Sequence, residues 1–284
     1  MIVYLNGSFP PKDEATISPD DRGFLFGDGI YEVLHVYDGH VFRTESHWRR
    51  LRSGLEKIRL AGCEHLDWSS ICNELVRQNK LDQGEATIYL QITRGPAPRK
   101  HAFPVNPTPT IYGFAAPYSS LTAKRLSGYR AVTIPDERWL RCDIKSISLL
   151  GNVLANQAAA DAGVDESILI RDGRATEGSH STFAAVFDGV IWTAPLGNLI
   201  LPSITREVVA EICRAREWPV REEFIEEGKL IHADELMVWS TTTEVMPVVE
   251  LNGKPIGNGQ PGPVAGRLHE EYARVIEQEK GVLV

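Results

Sequence analysis

The chain has 284 residues, 43% of them hydrophobic and 24% charged, the make-up of an ordinary globular protein with one large or two medium domains. A formal net charge of −8 argues against a nucleic-acid or anionic-membrane partner, since both need a basic surface, but leaves room for a local basic pocket. No apolar run approaches the ~18 residues of a membrane span. The four cysteines, Cys63, Cys72, Cys142 and Cys213, form no CxxC and no zinc pattern, so no metal is expected and they read as reduced thiols of a cytoplasmic protein.

The N-terminus "MIVYLNGSFPPKDE" has a short apolar run and then charges, which is not a signal peptide, and without one the sequon at Asn6 carries no meaning. "IYEVLHVYDGHVF" predicts a hairpin turning at Asp38-Gly39, because both residues adopt positive φ cheaply. Thr44 is expected to cap a helix with Trp48, Leu51, Leu55 and Ile58 on one face, and Trp68, Ile71 and Leu75 mark the next. The Pro-rich "RGPAPRKHAFPVNPTP" is a long loop before the strand "PTIYGFAA", and loops of that length are often functional. The polar stretch that follows places a small domain at 1–118, a linker at 119–130 and a larger domain at 131–284. Beyond "RWLRCDIKSISLLGN", an Ala-rich helix "SLLGNVLANQAAADAG" is expected to pack closely. Three further turns fall at Asp172-Gly173, Asp188-Gly189 and Asn252-Gly253, interleaved with the helices "SITREVVAEICRAREW" and "VAGRLHEEYARVIEQEK". Four hairpins among helices without strict alternation predict an α+β fold, and no GxGxxG supports a dinucleotide site.

Phosphate-loop, HExxH, GxSxG and EF-hand patterns are absent. A different set is present, scattered as in a site assembled from several loops. Lys145 stands where the chain turns apolar. Glu177 opens the small, hydroxyl-rich "GSHS". Ser203 can cap a helix whose Ile204 and Thr205 amides suit a phosphate, and Ser240, Thr241 and Thr242 add hydroxyls. Arg50 can neutralise that charge, and Arg94, Arg99, Lys100 and His101 make a basic loop fit for a carboxylate. Each feature also has a plain reading, namely a snorkelled lysine, a polar turn, a capped helix or a solvated basic loop. Together they are the parts of a pyridoxal phosphate site, with the lysine as Schiff-base former and the carboxylate under the pyridine nitrogen.

"DRGFLFGDGIYEVLHVYDGHVF", "QITRGPAPRKHAFP", "RWLRCDIKSISLLGNVLANQAA", "TEGSHS", "LPSITREVV" and "STTTEV" occur in order over almost the whole chain. Together they resemble the D-amino acid aminotransferases of the fold type IV pyridoxal phosphate enzymes. The resemblance implies a two-domain α+β fold, with a small N-terminal α/β domain and a larger pseudo-barrel cofactor domain. It makes Lys145 the catalytic Schiff-base lysine and Glu177 the partner of the ring nitrogen. Arg50, the Ile204 and Thr205 amides, Thr241 and its neighbour Thr242 become the phosphate cradle, with Leu201 against the ring. Tyr31, Arg99 and His101 become the trap for the substrate carboxylate, the 99–101 loop reaching over from the partner of a homodimer. The implied reaction moves the amino group of a D-amino acid to a 2-oxo acid such as 2-oxoglutarate or pyruvate. Rival readings on the same cofactor residues are aminodeoxychorismate lyase, a branched-chain aminotransferase and an (R)-selective amine transaminase. Two positions depart from the family pattern. His180 replaces a serine near the cofactor, and Ser203 stands where glycine is usual.

Overall fold

The computed structural model describes residues 1–281 and divides into two compact units, Met1–Ser119 with Ile144–Ser148, and Ser120–Asp143 with Leu149–Val284. The first contains β1 (Val3–Leu5), α1 (Arg22–Phe26), β2 (Gly29–Tyr37), β3 (His40–Val41), α2 (Thr44–Lys57), α3 (Trp68–Gln78), β4 (Glu85–Thr93) and β5 (Thr110–Pro117). Its five strands form one antiparallel sheet in the order β1-β5-β4-β2-β3. Helix α2 packs on β2, and α3 on β1 and β5. Trp48, Leu51, Leu55, Trp68, Ile71 and Leu75 are in the core with Ile30, Leu34, Ile88 and Leu90 of the sheet, whereas Ile58, expected on the same face, follows the end of α2 and is only half-buried against that core. Each such side chain contributes about 1.5–3 kcal/mol on burial.

The expected cap of α2 is different. Thr44 is the helix's first residue, and the flanking Arg43, at φ 56°, makes no side-chain cap. In α3 the rule holds, with Asp67 accepting from the Ser70 amide at 3.0 Å.

The second unit contains α4 (Thr122–Ser127), β6 (Tyr129–Pro135), α5 (Leu150–Asp161), β7 (Glu166–Arg171), β8 (Arg174–Gly178), β9 (Thr182–Phe187) and β10 (Val190–Thr193). It continues with α6 (Ile204–Ala215), β11 (Val220–Glu222), β12 (Ile225–Glu226), α7 (Glu227–Leu230), β13 (Glu235–Ser240), β14 (Glu244–Leu251), β15 (Lys254–Pro255) and α8 (Pro263–Gly281). The mixed sheet runs β11-β10-β9-β13-β14-β6-β7-β8-β12, with β15 on β14. Parallel pairing is confined to β10 with β11, β14 with β6 and β6 with β7. Helix α6 packs on β13 and α8 on both β13 and β14.

All four Asp-Gly and Asn-Gly pairs turn hairpins, with φ 49° to 52° at Asp38, Asp172, Asp188 and Asn252 and 71° to 82° at the glycines after them. Asn6-Gly7, present in the sequon, makes a fifth such turn, where the Leu5 and Ser8 amides and carbonyls pair at 2.9 and 3.1 Å. Helix α5 buries only Ala155 and Ala159 and exposes Leu150, Val153 and Leu154, so the close packing expected of it does not occur along its whole surface. Among the described residues, no helix is long and apolar enough to cross a membrane, no His/Cys/Asp/Glu group is fit to hold a metal ion, and the four cysteines are buried and unpaired.

Candidate active site

In the first unit the site is built on β2. Strand alternation sends Tyr31 and Glu32 to opposite faces. The Ile144–Ser148 segment runs alongside: the Tyr31 amide donates to the Lys145 carbonyl at 3.0 Å and the Ile147 amide to the Gly29 carbonyl at 3.1 Å. Lys145 is thus fixed at its backbone, five residues before α5, and its half-buried ammonium lies 4.3 Å from the Tyr31 ring centroid. Glu32 is fully buried and accepts from Arg50 Nε and Nη2 at 2.7 and 2.6 Å, while its Oε2 lies 2.7 Å from His47 Nδ1. Burial pushes the Glu32 carboxyl upward, but Arg50 and His47 outweigh it and hold the group well below the ordinary range. Burial lowers His47, the Arg50 and Lys145 charges lower it further, and Glu32 opposes them. A neutral His47 therefore braces Glu32, which in turn orients the Arg50 fork.

Arg99 and His101 do not gather at Lys145. Both are exposed and pack on Phe26, the Arg99 guanidinium 5.3 Å and the His101 ring 5.5 Å from its ring centroid. Arg94 of the same basic run is buried, donating to Asp28 at 2.9 and 3.0 Å and to the Ile58 and Arg59 carbonyls at 2.7 and 3.1 Å. It is a structural clamp rather than a carboxylate binder.

In the second unit Glu177 sits within β8, one residue before its end. Its Oε1 accepts from Arg138 Nη1, and its Oε2 from the Leu201 amide at 3.1 Å. Arg138 also donates to both Asp136 oxygens at 2.9 Å, and Asp136 further accepts from Thr176 Oγ1 at 2.9 Å and from Arg171. Burial raises the Glu177 carboxyl more than Arg138 lowers it, since Arg138 is shared with a second carboxylate. A cationic N–H donor would relieve that penalty, which is what a protonated ring nitrogen offers, so the residues fit the implied cofactor.

Ser203 caps α6 as expected, its Oγ accepting from the Arg206 amide at 3.3 Å. That leaves the Ile204 and Thr205 amides as the open donors of the first turn, a ready anion site. Thr241 and Thr242 lie in the turn between β13 and β14, which Ser240 Oγ pins by bonds to the Thr243 amide and hydroxyl at 3.1 and 2.8 Å.

The "GSHS" run is wired to Glu166, a fully buried carboxylate that sequence reasoning missed. Glu166 accepts from Ser179 N at 3.0 Å, Ser179 Oγ at 2.5 Å, Ser181 Oγ at 2.7 Å and Ser167 N at 2.9 Å. A Cβ on Gly178 would stand 2.1 Å from Ser181 Oγ, so the glycine makes room for that hydroxyl. His180 Nδ1 is 2.8 Å from Ser179 Oγ, whose own proton goes to Glu166, so Nδ1 is the donor of that pair. Asp136, Arg138, Glu32 and His47 were likewise unassigned. Only the basic residue ahead of the lysine in "RWLRCDIK" was a visible hint.

Similar folds belong to aminotransferases. The branched-chain amino acid aminotransferase of Escherichia coli superposes with a TM-score of 0.88 at 24% identity, covering 95% of this chain and 93% of its own. A second branched-chain amino acid aminotransferase, from T.th. and complexed with N-(5'-phosphopyridoxyl)-L-glutamate, gives 0.84 at 26% identity, covering 98% and 94%. In sequence, the D-alanine aminotransferase of Staphylococcus haemolyticus is 41% identical over 277 residues, 97% of this chain and 98% of the relative. The amino-transferase class IV family matches residues 29–251. The chain belongs to that family and is an aminotransferase of the two-domain α+β type.

Proposed function

We propose that the protein is a pyridoxal phosphate-dependent D-amino acid:2-oxo acid aminotransferase, working in the cytoplasm as a homodimer. The observation that carries the chemistry is Lys145, bonded through its backbone to β2 with its ammonium against Tyr31. The substrate class is supported by a relative named D-alanine aminotransferase at 41% identity, and the cofactor by the phosphopyridoxyl compound bound to the T.th. branched-chain enzyme.

When bound, the cofactor supplies an aldehyde for the lysine and a ring that accepts electrons. Lys145 Nζ is the group that takes the substrate α-proton and returns it. Glu177 holds the proton on the ring nitrogen, and Leu201 packs on the ring. Arg50, the Ile204 and Thr205 amides, Thr241 and Thr242 hold the phosphate. Tyr31, with Arg99 and His101 of the partner subunit, binds the substrate carboxylate. His180, exposed beside the Ser179–Glu166 pair, stands where the family commonly has a serine.

A half-reaction screen tests the reading. Purified protein should be yellow, and borohydride should fix the cofactor on the peptide containing Lys145. D-alanine should bleach the aldehyde-form absorbance, while L-leucine, a simple (R)-amine and aminodeoxychorismate should not match it. Preference for L-leucine, or labelling at another lysine, would refute the proposal.

A further inference from the structure

The loop that carries Arg99 and His101 is exposed, yet its backbone is held with unusual thoroughness from one short element. Arg22 of α1 is only 3% exposed, although its head is a guanidinium. Its Nε donates to Asp28 Oδ2 at 2.7 Å, and Arg94 claims the same carboxylate, so a single anion faces two buried cations. The remaining Arg22 donors go to the loop. Nη1 bonds the Lys100 carbonyl at 2.5 Å and reaches the Ala102 carbonyl at 3.5 Å, and Nη2 bonds the His101 carbonyl at 3.3 Å. Three consecutive carbonyls thus converge on one planar fork, a geometry that no ammonium can reproduce.

The base of the loop is closed as tightly. The Arg22 amide donates to the Gly95 carbonyl at 3.0 Å and the Ala97 amide to the Asp20 carbonyl at 3.2 Å. Gly95, at φ 83°, approaches so closely that a Cβ there would stand 1.8 Å from the Thr108 carbonyl oxygen. Phe26, one turn after Arg22 on the same helix, then shapes the side chains. The Arg22 guanidinium lies 4.8 Å from its ring centroid and that of Arg99 5.3 Å, with the His101 ring 5.5 Å away. Arg99 and His101 therefore share one aromatic platform, and Arg22 fixes both the platform and the backbone under them.

We propose that Arg22 and Phe26 are positioning residues for the substrate carboxylate, holding the 99–101 loop in the form that presents Arg99 and His101. The inference rests on the carboxylate role given to those two residues above. A long arginine on a free loop samples many rotamers, and ordering it beforehand removes that cost from binding. The effect should fall on substrates that carry a carboxylate and spare those that do not.

The test uses the holoenzyme and single-turnover half-reactions with D-alanine and with (R)-1-phenylethylamine. The variants are Arg22→Lys, Phe26→Leu and, as reference, Arg99→Ala. Hydrogen exchange of the peptide spanning 96–104 is followed alongside. Arg22→Lys should raise the half-saturating D-alanine concentration about tenfold and Phe26→Leu about threefold, the maximal rate holding within about twofold. The amine reaction should change less than about twofold, and exchange over 96–104 should quicken about tenfold. Phe26→Leu leaves the Arg22–Asp28 pair intact, so it decides the matter alone if Arg22→Lys does not fold. Equal losses on both substrates, or unchanged exchange, would overturn the proposal while Arg99→Ala still discriminates between them. If Arg99→Ala itself fails to discriminate, the carboxylate reading falls and the role of Arg22 and Phe26 falls with it.

Discussion

Glu177 and His47 show how single buried groups govern the rest. Glu177 and Asp136 divide one guanidinium, and Arg138 is nearly inaccessible, with 5% of its side chain exposed. Arg138→Met should cost roughly 3–5 kcal/mol in chemical denaturation of the cofactor-free protein, since it strands the Glu177 charge. In a Glu177→Gln background the same change should cost about 1–2 kcal/mol less, because the stranded charge is gone; strict additivity would refute the coupling. His47 is buried and held below its ordinary value near 6.5, so the unfolded chain binds its proton first as pH falls. The stability contributed by His47 is full above about pH 6.5 and declines as pH drops toward its folded value, by up to ~1.4 kcal/mol per unit. His47→Gln keeps a donor for Glu32 and should flatten the stability profile below about pH 6.5, the ordinary value of an unfolded histidine. The buried carboxylates Glu32 and Asp136, both lowered, lose their contribution only in a more acid window, so the two effects separate.

Among the elements, helix α5 follows Lys145 and turns Leu150, Val153 and Leu154 to solvent, with exposures of 71%, 57% and 57%. Three apolar residues at spacings of three and four on one helix form a face that a soluble monomer rarely leaves open. In the homodimer reading this face is covered, and Val153→Glu with Leu154→Glu should shift the protein from dimer to monomer in light scattering. A variant that stays dimeric would place the interface elsewhere. The elements themselves were largely legible, because their signals are local: Asp-Gly turns, helical spacing at Trp48 to Leu55, and the Ser203 cap were all written within a few residues. What stayed hidden depends on distant partners. Glu235 accepts from the Val264 and Ala265 amides at 2.8 and 2.9 Å, capping α8 from 29 residues away. Arg138, Glu166 and Glu32 likewise become recognisable only once folding delivers their partners. Thr44 failed as a cap because Arg43 turns into the left-handed region and draws the helix start one residue earlier than the rule expects. Ser203 was legible together with the cap it makes, whereas the partners that brace Lys145 and Glu177, the β2 backbone and Arg138, were not.

At the scale of the molecule, the path of the chain matters more than its composition. The first unit takes in Met1–Ser119 and then Ile144–Ser148, while the second takes in everything between and after. The backbone therefore crosses from one unit to the other at three places, before residues 120, 144 and 149. A single cut at the exposed 119–120 junction, which would separate beads on a string, leaves these units joined through the other two crossings. Limited proteolysis there should give two fragments on a denaturing gel, yet a nicked species that elutes intact and keeps its yellow colour under native conditions. Loss of colour on nicking would mean that the junction itself supports the cofactor residues. The threading also makes the Ile144–Ser148 segment, with Lys145 in it, a stretch of backbone donated to the first sheet from far along the chain. The β2 edge that receives Lys145 is completed by residues encoded well over a hundred positions downstream of Gly29 and Tyr31. During synthesis the strands of the first sheet therefore leave the ribosome before the Ile144–Ser148 segment that pairs with β2, and that edge is completed only after residue 148 has emerged.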